Sequence, residues 1–102
     1  MAAYLIVDIT GIQDEQTYAR YRQQVSPGLS SAGGRYLARG VAIEVLEGDW
    51  HPKRIVLVRF DSAVAARGWW ASKDYAALKH MRQASATTNM IVVEGVAEGE
   101  PS

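Results

Sequence analysis

A chain of 102 residues with 48% apolar and 22% charged side chains is one ordinary domain, and folding at this size buries roughly 65% of the surface the unfolded chain exposes, enough for a single core. Eleven Lys and Arg balance eleven Asp and Glu, so no broad field draws it to nucleic acid or to an anionic membrane surface. With no cysteine, disulfides, thiolate metal sites and a cysteine nucleophile are excluded.

The opening MAAYLIVDIT has no basic segment ahead of its apolar stretch, which predicts neither a signal peptide nor a membrane span, and a cytoplasmic protein. Within it, Tyr4 to Ile9 is almost wholly apolar and β-branched, the pattern of a strand covered on both faces. Asp14 can cap a helix whose one face carries Tyr18, Tyr21, Arg22 and Val25, spaced i, i+3, i+4, i+7. Pro27 and Gly28 interrupt that pattern, so the first helix is expected over 14–25 with at most a further turn to Ala32. Gly33 and Gly34 mark its exit, RYLAR begins a second strand, and Gly40 breaks it before VAIEVLE resumes.

GDWHPK at 48–53 reads as a loop, and IVLVRF at 55–60 as the strand that closes a hairpin. Ser62 can cap a second helix through Ala71, and Ser72 or Lys73 starts another helical stretch that carries Tyr75, Leu78 and Met81 to about Ala84. The last strand is NMIVVEGV. Residues 1–97 thus form one α+β domain and 98–102 a flexible tail. The order β-α-β-β-α-β is the ferredoxin-like arrangement, a four-stranded antiparallel-type sheet in order 4-1-3-2 with its two helical connections on one face.

Alternation assigns Leu5, Val7, Ile9, Val56, Val58, Phe60, Ile91 and Val93 to the face under the helices. The complementary set is Tyr4, Ile6, Asp8, Ile55, Leu57, Arg59, Met90, Val92 and Glu94. A patch so apolar marks an interface, and the simplest cover is a second copy of the chain. Tyr4, Ile6, Asp8, Leu57, Arg59, Val92 and Glu94 are therefore expected in a homodimer face. Taking strands one and three as parallel neighbours puts Asp8 and Arg59 near one end of that face, with Glu44 diagonal to Arg59. Such an arginine between carboxylates is either an anchor for a ligand's anion or carbonyl, or an ion-pair network satisfied inside the dimer.

Trp69 and Trp70 are adjacent, so on a helix they point about 100° apart and only one can centre a buried stripe. One indole can wall a ligand cavity, or the pair can serve core and dimer packing. Tyr18, Tyr21, Tyr36 and Tyr75 either place hydroxyls inside such a cavity or are core tyrosines whose hydroxyls reach the surface. His51 and His80 stand in a loop and on a helix without a carboxylate at ligand spacing, so both are expected to be exposed and no metal is expected. There is no G-x-G-x-x-G, P-loop or G-x-S-x-G motif, which argues against nucleotide cofactors and serine hydrolysis.

An ordered set of short motifs runs through the chain: AAYLIVDI at the start, GGRYLARG at 33–40, EVLEGDW at 44–50, FDSAVAARGWWASKDYAAL at 60–78 and MIVVEGV near the end. Over residues 2–97 they resemble the domain of unknown function 1330 family, whose members resemble the dimeric α+β barrel proteins. The resemblance implies a homodimer; a pocket between helices and sheet is the first functional reading of the residues, and no cofactor is expected. Arg39 and Arg82 fall on segments matching the family pattern and join the pocket candidates, although Arg82 also suits a helix C-terminus. By architecture alone the chain is similar to cofactor-independent oxygenases, muconolactone isomerases and haem-degrading oxygenases, the last poorly matched because no histidine sits on an apolar helical face. Two functions follow: a protein that binds, and in one version transforms, a small organic molecule in an apolar, aromatic pocket, or a non-catalytic dimeric sensor, carrier or accessory subunit. Neither takes nucleic acid or a membrane as partner.

Overall fold

The computed structural model describes residues 1–97; the tail expected at 98–102 lies outside the described residues. The elements are β1 (Ala3–Ile12), α1 (Glu15–Ser31), β2 (Arg35–Gly40), β3 (Ile55–Phe60), α2 (Ala63–Trp70), α3 (Lys73–Ser85) and β4 (Ala86–Glu94). The strands form one sheet in order β2-β3-β1-β4 with every neighbour antiparallel. Leu5, Val7, Ile9, Val58 and Phe60 from the sheet meet Tyr18, Tyr21, Val25 and Leu29 from α1, Ala66 and Trp69 from α2, and Tyr75 from α3 in one buried cluster.

The helix starts are where the hydroxyl and carboxylate caps stand. Asp14 accepts from the Thr17 amide at 3.1 Å and from the Thr17 hydroxyl at 2.7 Å, and those bonds hold its carboxyl below the usual range. Ser62 accepts from the Ala65 amide at 3.0 Å and Ser72 from the Tyr75 amide at 3.1 Å, so the second crossover breaks into α2 and α3 at Ala71 and Ser72. The end of α1 is a Schellman motif: Gly33, at φ 93°, donates to Ser30 O at 3.0 Å and Gly34 to Leu29 O at 2.9 Å.

Four expectations need correction. The first concerns the shorter of the two bounds allowed for α1: the helix takes the further turn, running through Pro27 to Ser31, because Val25 and Leu29 continue its buried stripe and their packing outweighs one missing amide. VAIEVLE does not resume a strand: 41–54 is irregular, since β3 is already paired on both edges, to β2 and to β1. Strands β1 and β3 are antiparallel, with Asp8 opposite Ile55 and Tyr4 opposite Arg59, so Asp8 and Arg59 lie at opposite ends and form no network. Finally, β4 has the other parity. Met90 faces Val7 and Val92 faces Leu5, while Ile91 pairs with Ile6 and Val93 with Tyr4.

The open face therefore carries Tyr4, Ile6, Ile55, Leu57 and Arg59 as expected, with Ile91 and Val93 in place of Met90, Val92 and Glu94. Asp8 also belongs to it and is buried; Trp50 of the 41–54 segment donates its indole N–H to Asp8 Oδ2 at 2.9 Å, while Oδ1 accepts from no described residue. Arg59 instead meets Asp61 at 3.0 Å on the surface, a pair of little consequence for stability.

Candidate ligand cavity

The stripe of α1 that carries Tyr18, Tyr21, Arg22, Val25 and Leu29 does not close onto the sheet. Between them lies a cavity of about 230 Å³. Leu5, Val7 and Ile9 of β1 with Val56 and Val58 of β3 form its apolar floor, and Tyr36, Trp69 and Met90 add walls. The walls hold their shape through aromatic packing: Trp69 stacks on Tyr75 with centroids 4.0 Å apart and lies 6.1 Å from Phe60.

The polar lining has one sign. Arg22, Arg39, Arg54 and Arg82 all reach the cavity, and among the described residues no Asp or Glu does. Arg22 and Arg39 are exposed and Arg54 half-buried, so these guanidinium groups ring the mouth, beside Gly40 and Val41 where β2 gives way to the 41–54 segment. Arg39 lies over the Tyr36 ring at 4.7 Å and Arg54 over Tyr18 at 5.7 Å, geometries that hold each cation against an aromatic face.

Arg82 is different, being only 5% exposed. Its Nε donates to the Tyr75 hydroxyl at 3.2 Å and its Nη1 to the Thr88 hydroxyl. Among the described residues the one ion pair is Arg59 with Asp61, so the buried cation is held by neutral oxygens alone. Tyr75 stands 2.7 Å from the Tyr21 hydroxyl, oxygen to oxygen. Either hydroxyl can donate in that bond; with Arg82 donating to Tyr75, the chain Arg82 to Tyr75 to Tyr21 leaves the Tyr21 O–H available to a group in the cavity. Burial, reinforced by Tyr75, pushes the Tyr21 phenol far above its ordinary value, so it stays protonated throughout the physiological range.

The residues singled out from sequence divide cleanly. Tyr18, Tyr21, Tyr36, Arg39, Trp69 and Arg82 line the cavity, and Tyr75 stands behind its wall, bonded to both Tyr21 and Arg82. Trp70 turns outward, 40% exposed under the Lys79 ammonium, and Glu44 is exposed in the 41–54 segment. Arg59, on the open face, lies outside the cavity. Arg22 and Arg54 were missed as site residues. An arginine inside the apolar stripe of α1 was a visible sign for Arg22; nothing in the sequence marks Arg54. Both histidines are exposed, and among the described residues no three His, Cys, Asp or Glu side chains come together as metal ligands. No described helix is long and apolar enough to cross a membrane.

An antiparallel sheet in this order, with its helices on one face and a cavity beneath them, makes the chain a ferredoxin-like α+β protein. It belongs to the domain of unknown function family DUF1330, whose model matches residues 2–96. No curated protein sequence matches it. Among solved structures it is similar to a protein of unknown function from Rhodopseudomonas palustris, at 17% identity and TM-score 0.76 over 94% of this chain and 83% of that one. It is also similar to SnoaB, a cofactor-independent oxygenase from Streptomyces nogalater, at 9% identity and TM-score 0.67 over 94% of each chain. A third likeness is to a dimeric ferredoxin-like protein of unknown function from Bacteroides fragilis, at 12% identity and TM-score 0.54 over 92% of this chain and 96% of that one. At these identities the likeness is one of fold, and function has to be argued from the cavity.

Proposed function

We propose that the protein is a homodimer that binds a small organic molecule in the cavity between α1 and the sheet. The observation that carries this reading is an apolar, aromatic-walled space of about 230 Å³ with a few polar groups converging on it, the usual make-up of a ligand site. A close-packed domain of this size has no reason to leave such a space under its longest helix.

A carrier or sensor role is favoured over proton-transfer catalysis by the lining itself. Among the described residues no His, Asp, Glu, Lys or Cys belongs to it, and Tyr21 holds its proton. A base that takes a proton near neutral pH is therefore not supplied by the cavity. Native mass spectrometry of protein purified gently from a crude lysate tests the reading. We expect a dimer carrying a discrete mass that is lost on denaturation; a monomer refutes the assembly, and an empty dimer that binds no small molecule in a mixed-library screen refutes the cavity's role.

A further inference from the structure

The cavity's charge goes further than its shape. Resting on the reading that this cavity is the ligand site, we propose that its ligand is an organic monoanion of about ten heavy atoms, with an apolar or aromatic body and a carboxylate or equivalent oxyanion held by Arg82. The size follows from volume: an apolar cavity of about 150 Å³ admits benzene, so 230 Å³ takes a ring with a short charged substituent.

The sign of the charge follows from Arg82. A guanidinium removed from water loses hydration that neutral acceptors replace only in part, so buried cations are normally met by a carboxylate. Arg82 has only the hydroxyls of Tyr75 and Thr88, and its Nη2 donates to no described residue. An anion arriving there meets a cation that is already largely desolvated, a setting that favours a charge-assisted bond. The Tyr21 O–H, protonated and at the same wall, offers a further donor to an oxyanion. The body of the ligand would lie between the β1 floor and the Tyr18 and Trp69 rings. Arg22, Arg39 and Arg54 at the mouth are hydrated and screened, so they steer anions inward and add salt dependence rather than depth of binding.

Isothermal titration with trans-cinnamate and its neutral isostere cinnamamide, at neutral pH and at low and high salt, tests this. The probes share shape and differ in charge. We expect wild type to prefer the acid by about tenfold or more. Arg82→Gln should abolish the preference, Arg82→Lys should retain part of it, and a rim variant, Arg54→Gln, should flatten the salt dependence while keeping most of the preference. Equal binding of both probes overturns the anion and leaves the cavity reading standing. A preference that survives Arg82→Gln and disappears in Arg54→Gln moves the charge to the mouth and overturns the assignment to Arg82. Binding of neither probe at millimolar concentration overturns the inference together with the reading on which it rests. Should Arg82→Gln fail to fold by circular dichroism, the acid-to-amide ratio of wild type and Arg82→Lys decides.

Discussion

Tyr21 joins the chemistry of the cavity to the stability of the fold. In the unfolded chain a tyrosine titrates near pH 10, whereas burial keeps the folded Tyr21 protonated well above that. Below about pH 10 both states hold the proton and the contribution to stability is fully present. Above it the unfolded chain binds fewer protons than the folded one, and stability falls by up to about 1.4 kcal/mol per pH unit until the raised folded value is reached. Tyr21→Phe removes this dependence and, at neutral pH, costs about 1 kcal/mol by deleting the bond to Tyr75. Urea unfolding at pH 9, 10 and 11 checks both effects: wild type should lose more stability than Tyr21→Phe between pH 10 and 11. Parallel loss in the two proteins would mean that another group carries the alkaline transition.

At the scale of elements, α1 shows how packing overrides local signals. Pro27 lies inside the helix, where it removes an amide that would have met the Gln23 carbonyl. Because Pro27 is exposed, Pro27→Ala is expected to raise stability by about 1 kcal/mol or more, read as a higher Tm by circular dichroism. The end of the helix is less tolerant. Gly33 sits at φ 93°, where any L side chain is strained by about 1–2 kcal/mol. A Cβ on Gly34 would stand 2.8 Å from Leu29 Cγ and 3.0 Å from Leu29 O. Leu29 is in the core, so Gly34→Ala must displace either a packed side chain or the backbone that closes the Schellman motif, and about 1–3 kcal/mol should be lost. An unchanged Tm in Gly34→Ala would contradict the packing described for Leu29.

Strand β4 failed in the opposite way, through too little local information. In MIVV both parities are apolar, so alternation has nothing to alternate, and a one-residue slip exchanges the two faces without any local penalty. The antiparallel register with β1, which brings Thr88 opposite Ile9 and so to Arg82 on the helical side, decides it. The cavity was legible to the extent that it drew on the helical stripe of α1 and on the strand-borne aromatic Tyr36. Arg54 was not, because it lies just ahead of β3 and becomes a lining residue only when the sheet brings that edge beside Tyr18.

For the molecule as a whole, the open face of the sheet remains to be covered. Ile91 is 55% and Val93 43% exposed beside Tyr4, Ile6 and Leu57, and the 41–54 segment adds exposed Val45, Leu46 and Trp50. These groups support the proposed dimer, as such contiguous apolar surface does in other proteins. Ile6→Glu, at the centre of the face, is expected to yield monomers that remain folded, seen as a halved mass in sedimentation equilibrium. A wild-type protein already monomeric at micromolar concentration would refute the dimer.

The sequence by itself determined the element order, the caps at Asp14, Ser62 and Ser72, the sheet order and the family, because each depends on residues a few positions apart, on the handedness of crossover connections or on motifs in sequence. Tertiary structure alone decided the direction of β3 against β1, the parity of β4, the separation of Asp8 from Arg59 and the convergence of Arg22, Arg39, Arg54 and Arg82 on one space. Those features depend on register between strands far apart in the chain. Balanced overall composition also conceals a cavity whose described lining has one sign, since none of the described carboxylates lines it.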